Sequence, residues 1–375
     1  MREVMPELVD WWRTGNRVAV GTVVATFRSA PQPPGASMIV GLDGAVLGSV
    51  SGGCVEGAVY ELAQEVLAAG TPVLQRYGVS DFDAFAVGLT CGGIIDVYVE
   101  QVDRATFPEL EDVFADIERG HPVAIATVVD HPDSARVGRR MIVRPDSAQG
   151  SLGSGRIDDG VRDDARGLLV HGQSQVLSYG PDGERRGEGL RVFVQAFTPA
   201  PRMLVFGAID FAAATARIGA FLGYRVTVCD ARPVFATAAR FRDADEVVVD
   251  WPHRYLAAEA AAGRIDSRTV ITVLTHDPKF DVPLLEVGLR LPQVAYVGAM
   301  GSRRTHDDRM TRLREAGLTE SELGRLRSPI GLDLGARTPE EAAVSIAAEI
   351  LSQRWGGSGQ PLSSTSGRIH HAALS

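Results

Sequence analysis

Two cysteines of the chain lie beside glycine runs. Cys54 falls near the end of Gly48-Ser49-Val50-Ser51-Gly52-Gly53-Cys54-Val55-Glu56, and Cys91 opens Cys91-Gly92-Gly93. The first run follows a strand-like segment and opens a predicted helix that reaches about Ala69. A glycine-rich loop at a helix start offers free backbone N–H groups and the positive end of the helix dipole. Those donors suit an anion, and the same setting favours the thiolate of a cysteine. The expected chemistry is an anionic ligand held around Ser51, Gly52 and Gly53, with the reactive sulfur of Cys54 beside it. The competing reading is a tight strand-to-helix turn around a small cysteine. Cys54 and Cys91 are too far apart in sequence for a CxxC pair, and no histidine partners them, so structural zinc has little support. Cys229 ends an apolar run and reads as core.

A second set of candidates lies further along. Met203-Leu204-Val205-Phe206 is followed by Gly207-Ala208-Ile209-Asp210-Phe211-Ala212, in the register of a dinucleotide fingerprint G-x-G-x-x-G/A. Gly207 and the terminal small residue are present. Ile209 replaces the middle glycine, where backbone should approach a pyrophosphate, and Asp210 adds negative charge beside it. Asp230 lies about 20 residues on, where an acid that binds a ribose belongs. NAD(P) binding therefore has some support and some opposition. Thr275-His276-Asp277 and Gly298-Ala299-Met300-Gly301-Ser302-Arg303-Arg304 follow two further apolar runs, where open α/β sheets bind ligands. Gly301, Ser302 and Arg303 could clamp an anion, or the arginines could simply be solvated. His276 with Asp277 is a weak metal pair, because adjacent side chains point apart. Thr338-Pro339-Glu340-Glu341 needs no function: it reads as a capped helix start.

The elements that would position these residues follow two rhythms. From residue 1 to 197, strand-like runs alternate with turns and a few helices. Thr198-Pro199-Ala200-Pro201 reads as a linker. From 202 to 353, short continuous apolar runs alternate with amphipathic stretches, as in a parallel sheet covered on both faces. Residues 354–375 read as a flexible tail. The first region repeats itself. Arg17–Val24 resembles Pro122–Val129, Ser37–Val40 resembles Arg140–Val143, Gly48–Glu56 resembles Gly150–Asp158, Tyr77-Gly78 matches Tyr179-Gly180, and Val97–Glu100 matches Val192–Gln195. The halves fall at about 1–105 and 106–197. Cys54 aligns with Arg156, so the cysteines belong to the first copy only. The fold class expected is α/β: an N-terminal α+β domain with internal duplication, then a Rossmann-like parallel-sheet domain.

Composition narrows the function classes. The 375 residues are 45% hydrophobic and 23% charged, an ordinary globular balance. Net charge is 38 − 47 = −9, without a basic run, which argues against nucleic acid and anionic membranes. No apolar stretch is long enough for a membrane span, and the first residues lack the order of a signal peptide. Three cysteines build no disulfide framework, so a cytoplasmic setting is expected. No G-x-S-x-G, P-loop or H-E-x-x-H motif supports a hydrolase or kinase.

Several of these segments together resemble the XdhC/CoxI family, accessory proteins of molybdenum hydroxylases. The resemblance rests on Pro33-Pro34-Gly35-Ala36-Ser37-Met38, the Gly48–Glu56 run, Cys91-Gly92-Gly93, Asp230-Ala231-Arg232, Thr275-His276-Asp277, Val297–Ser302 and Pro329–Glu341. It implies a protein that binds molybdenum cofactor, supports its sulfuration and delivers it to a xanthine dehydrogenase-type enzyme. It further implies a cysteine desulfurase as partner and a homodimer; with both cysteines placed in glycine-rich loops, Cys54, alone or with Cys91, is the expected contact at the metal end of the cofactor, and Glu56 belongs to the same site. Family members usually carry G-A-G-H where this chain has Gly207-Ala208-Ile209-Asp210, which weakens a nucleotide role. The alternative is an NAD(P)-dependent oxidoreductase built on the Rossmann-like domain.

Overall fold

The computed structural model describes residues 1–27, 32–78, 93–275 and 277–366. Cys91, Gly92 and His276 lie outside the described residues. The chain divides into two compact units, Met1–Pro199 and Ala200 onward.

The first unit contains the same arrangement twice. Its first half comprises α1 (Met5–Arg13), β1 (Val18–Phe27), β2 (Ser37–Gly41), β3 (Val46–Gly48), α2 (Glu56–Ala69), β4 (Val73–Tyr77) and β5 (Ile94–Val102). Its second half comprises α3 (Leu110–Glu118), β6 (Val123–Asp130), β7 (Arg140–Val143), β8 (Ala148–Gly150), α4 (Gly155–His171), β9 (Gln175–Tyr179) and β10 (Leu190–Phe197). The sheets run β3-β2-β1-β5-β4 and β8-β7-β6-β10-β9, the same order in each half. All their pairings are antiparallel.

Side-chain size along the central strands explains the layers. On β1, Val18 and Val20 join a core shared by both halves, whereas Ala19 faces α2. On β6, Val123 and Ile125 enter the shared core, whereas Ala124 and Ala126 face α4. Successive strand residues point to opposite faces, so a large/small alternation lets a helix lie close on one side. The shared core also takes Leu8, Val9 and Trp12 from α1 and Leu110 and Val113 from α3. One backbone detail repeats as well. Gly48 and Gly150 have φ of +82° and +89°, and a Cβ there would lie 2.3 Å from the Ser37 carbonyl oxygen and 2.5 Å from that of Arg140. Only glycine fits either position.

The second unit is a doubly wound sheet. Its elements are β11 (Arg202–Phe206), α5 (Asp210–Phe221), β12 (Arg225–Asp230), β13 (Glu246–Val249), α6 (Pro252–Ala261), β14 (Val270–Val273), α7 (Pro278–Arg290), β15 (Tyr296–Ala299), α8 (Arg303–Glu315), α9 (Glu320–Leu323), β16 (Leu326–Arg327) and α10 (Pro339–Trp355). The parallel strands run β13-β12-β11-β14-β15-β16, the order of a dinucleotide-binding fold. Met203 and Val205 pack with α5 and α10, and Leu204 and Phe206 with α6 and α7, so each strand is covered on both faces. The fold class expected from the sequence is thus borne out, including the duplication. Among the described residues, no helix is long and apolar enough to cross a membrane.

Candidate functional site

Strand register places the candidate loops of the first half at one end of its sheet. Phe27 pairs with Ile94, Thr22 with Ser37, Met38 with Gly48, and Tyr77 with Ile95. The Ser49–Val55 loop, Ala36 and Gly93 therefore share that end.

The Ser49–Val55 loop folds around the carboxylate of Glu56, the first residue of α2. Glu56 Oε1 accepts from Ser49 Oγ at 2.6 Å, Val50 N at 3.2 Å and Ser51 N at 2.8 Å. Its Oε2 accepts from Ser51 Oγ at 2.5 Å, Gly53 N at 2.9 Å and Val55 N at 3.2 Å. Gly52 N donates to Ser49 Oγ at 2.9 Å, and Cys54 N to Ser51 Oγ at 2.9 Å. Every backbone N–H from Val50 to Val55 thus has an acceptor inside the loop. Burial pushes the Glu56 carboxyl up, but hydrogen bonds from the Ser49 and Ser51 side chains and the loop backbone outweigh it and pull it down to about 2.

This changes what the loop can do. The sequence suggests free N–H donors awaiting an anion, but the chain supplies that anion itself. What the loop holds in a fixed place is Cys54, half-buried against the core under α2. Ser51, Gly52, Gly53, Cys54 and Glu56 lie together in this loop, with Glu56 as its organiser. Asp96 on β5 accepts from Arg76 at 2.6 and 2.9 Å and from Arg191 of the second half at 3.0 Å. Burial raises the Asp96 carboxyl, yet the two guanidiniums outweigh this and hold it below the usual range. The repeat register maps position 96 onto 191, so this ion pair joins corresponding points of the two halves.

In the second unit, Gly207 and Asp230 meet at the ends of β11 and β12. Gly207 has φ +118°, and a Cβ there would approach the Leu274 carbonyl carbon to 3.0 Å, so this close strand-to-strand contact requires glycine. Asp230 is buried, and both carboxylate oxygens are engaged. Oδ1 accepts from Arg232 N and Nε at 2.9 Å each; Oδ2 accepts from Arg232 Nη2 at 2.8 Å and Ala208 N at 2.7 Å. Burial raises this carboxyl, but hydrogen bonds, those from the Arg232 side chain foremost, pull it below its usual range. Arg240 bonds Asp210 at 3.2 Å and the Ala208 carbonyl at 3.3 Å. The corner where a dinucleotide would place its pyrophosphate and ribose therefore carries an aspartate and an acid already saturated by its own chain. These residues do not fit NAD(P). Cys229 is core as expected: burial, then Asp250 and Asp230, push its thiol up to about 12.

Gly301, Ser302 and Arg303 follow β15 and begin α8. Ser302 Oγ accepts from Thr305 N at 3.1 Å, and Arg303 and Arg304 are exposed. The arginine that the sequence does not single out is Arg309, buried on the same helix. Its Nη2 donates to Asp281 Oδ2 at 3.0 Å and to the Met300 carbonyl at 2.8 Å, and its Nη1 to Ser328 Oγ at 2.9 Å. Asp281 also accepts from Thr275 Oγ1 at 2.5 Å. Removing one partner of a buried pair costs about 3–5 kcal/mol, so this network firmly ties the ends of β14 and β15 to the segment after β16.

That segment walls a cleft of about 290 Å³ between Met300-Gly301, residues 329–336 and the start of α10. The cleft was not singled out from the sequence. Its signal was the length of the distinctive run from Pro329, whose later part does form the expected capped start of α10. Among the described residues, no three His, Cys, Asp or Glu side chains assemble a metal site.

A family model described as "XdhC Rossmann domain" matches residues 203–350. Another, described as "XdhC and CoxI family", matches residues 11–78 and 116–180. The chain is 28% identical over 353 residues to the molybdenum cofactor insertion chaperone PaoD of Escherichia coli (strain K12), covering 94% of this chain and 88% of that protein. It is 27% identical over 341 residues to a probable xanthine dehydrogenase subunit of Bacillus subtilis (strain 168), covering 90% and 94%. A crystal structure titled as a xanthine dehydrogenase from Bacillus halodurans superposes with a TM-score of 0.68 at 25% identity, covering 97% of each chain.

Proposed function

Because the chain belongs to the XdhC and CoxI family, with matching models over both of its units, we propose that it is an accessory protein of a xanthine dehydrogenase-type molybdenum enzyme. It takes molybdenum cofactor as cargo, supports its sulfuration with sulfur from a cysteine desulfurase, and hands it to the enzyme. It works in the cytoplasm as a homodimer. The relatives named as an insertion chaperone and as part of a xanthine dehydrogenase support the general role. The observation that carries the residue assignment is Cys54, held on a loop whose backbone donors are taken up by Glu56 and the Ser49 and Ser51 hydroxyls.

The chemistry follows from the donor set. Thiolate is a soft ligand and suits molybdenum or its terminal sulfur. A loop with every N–H already bonded needs little reordering when cargo arrives, so binding costs less ordering entropy. The same saturation means that the phosphate of the cargo is held elsewhere. Cys54 is the candidate metal-end contact. Cys91, Gly92 and His276 keep their place as candidates by resemblance, and so do Gly93, Gly207, Asp230, Gly301, Ser302 and Arg303.

The test is molybdenum and pterin analysis of protein purified from cells with an intact cofactor pathway. Co-purification of both with the wild type, and their loss from Cys54→Ser, is expected. A wild-type protein free of both would overturn the accessory reading. Full retention by Cys54→Ser would remove Cys54 from it.

A further inference from the structure

We propose that the cleft beside β15 binds a fused amino-oxo-pyrimidine ring, the heterocyclic end of a pterin or of guanine, through Asp333. The proposal rests on the accessory reading and gives the second unit its own site for the heterocyclic end of the cargo. Three observations carry it.

The first is size. The cleft holds about 290 Å³, at the lower end of small-molecule sites, which run from about 300 to 1,000 Å³. That is room for a fused-ring heterocycle and not for a complete dinucleotide.

The second is the chemistry of the wall. Met300, Ile330, Leu332 and Ile346 give it apolar surfaces, and among the described residues Asp333 is its only titratable side chain. Ser345 also lines it, but its hydroxyl is already committed to the Leu332 carbonyl at 2.5 Å. No described lysine, arginine or histidine lines the cleft, so no cationic side chain there calls for a phosphate. A carboxylate accepts hydrogen bonds and does not donate them. Its complement is a flat ring presenting an amino group and a ring N–H side by side, which can bond both oxygens at once. Apolar walls take the faces of such a ring.

The third is rigidity. Arg309 fixes Met300 and Ser328 from behind. Ile330 N donates to the Ala299 carbonyl at 3.1 Å, and Gly331 N to Glu349 Oε2 at 2.8 Å. Tyr296 OH donates to the same Glu349 oxygen at 2.5 Å. A backbone tied at each of these points is preformed for a ligand, as small-molecule sites usually are.

The experiment titrates the full-length protein with 6-hydroxymethylpterin, followed by fluorescence, and in parallel with GMP. Asp333→Asn keeps the shape and removes the charge. Ala342→Leu, at a helical position in the wall, fills the cleft. Saturable binding of either ring by the wild type, at least about tenfold weaker in Asp333→Asn and lost in Ala342→Leu, is the expected result. The tighter of the two rings identifies the source. Absence of binding, or binding that neither substitution weakens, overturns the proposal. Neither ring probe carries metal, so this outcome is independent of molybdenum co-purification. A protein that retains molybdenum but fails the titration loses the cleft assignment and keeps the accessory role.

Discussion

The two halves of the N-terminal unit share a frame and differ in what they present. In the first, Glu56 gathers Ser49, Val50, Ser51, Gly53 and Val55 around its carboxylate. In the second, Asp158 occupies the matching position and keeps only the outer part of that pattern. Leu152 N donates to it at 2.7 Å and Ser151 Oγ at 2.7 Å. Its side chain is one methylene shorter, and Gly153 stands where Ser51 supplies a hydroxyl. The place of Cys54 is taken by Arg156, which pairs with Glu184 at 3.6 Å on the surface. The difference separates architecture from chemistry: the glycine turn and the acid that caps it build the loop in both copies, while the dense network and the sulfur occur in one.

Six substitutions would break or sharpen this comparison. The largest effect is expected at the loop acids. Glu56→Ala should cost about 2–3 kcal/mol by stranding several donors, against about 1 kcal/mol for Asp158→Ala, read as shifts in the denaturant midpoint. Equal losses would mean that the two loops are equivalent. The same acid sets a pH signature. Its carboxyl is depressed from 4.5 to about 2, so its contribution is complete above about pH 4.5 and is lost as pH falls toward 2. The stability gap between wild type and Glu56→Gln should therefore close on acidification from pH 5, and a gap that widens contradicts the assignment. Next, Asp96→Asn should cost about 2 kcal/mol, because it leaves Arg76 and Arg191 without their carboxylate at the joint of the two halves. Thermal melting reports it, and a neutral result would show that the joint is held by apolar packing alone. Cys54→Ser should lower bound molybdenum at least about tenfold, or about 1.4 kcal/mol, while Arg156→Ser leaves it unchanged, by elemental analysis of purified protein. The smallest effect is on stability in that second variant: the exposed Arg156 pair should contribute no more than about 0.5 kcal/mol.

Much of the fold was legible because its signals are local. The repeated runs of β1 and β6, the paired turn glycines Gly48 and Gly150 and the continuous apolar runs of β11 and β14 each declare an element from neighbouring residues. The helix start at Thr338 was readable for the same reason, since capping box and proline lie within four residues. The candidate site was legible only in part. Cys54 and its glycines announced a loop worth notice, but the fate of its donors depended on which way the Glu56 side chain turned. Asp230 sat where a ribose acid belongs, and Arg232 and Ala208 N claimed its oxygens once β11 and β12 were paired. Arg309 gave no signal, since an arginine inside a charged helix looks solvated until Asp281 and Met300 are packed behind it.

By itself, then, the sequence determined the periodicities, the duplication, the position of the glycine turns and the restriction of Cys54 to one copy. These depend on residue type and on spacing along the chain. Only the tertiary structure decided which polar groups are spent on one another. It filled the Glu56 loop and the Asp230 corner from within, and it left the exposed Asp333 on the wall of an open cleft built from segments about 30 residues apart. Hydrogen-bond partners are set by distances of about 3 Å in space, and chain order does not encode those distances until the sheets and helices have packed.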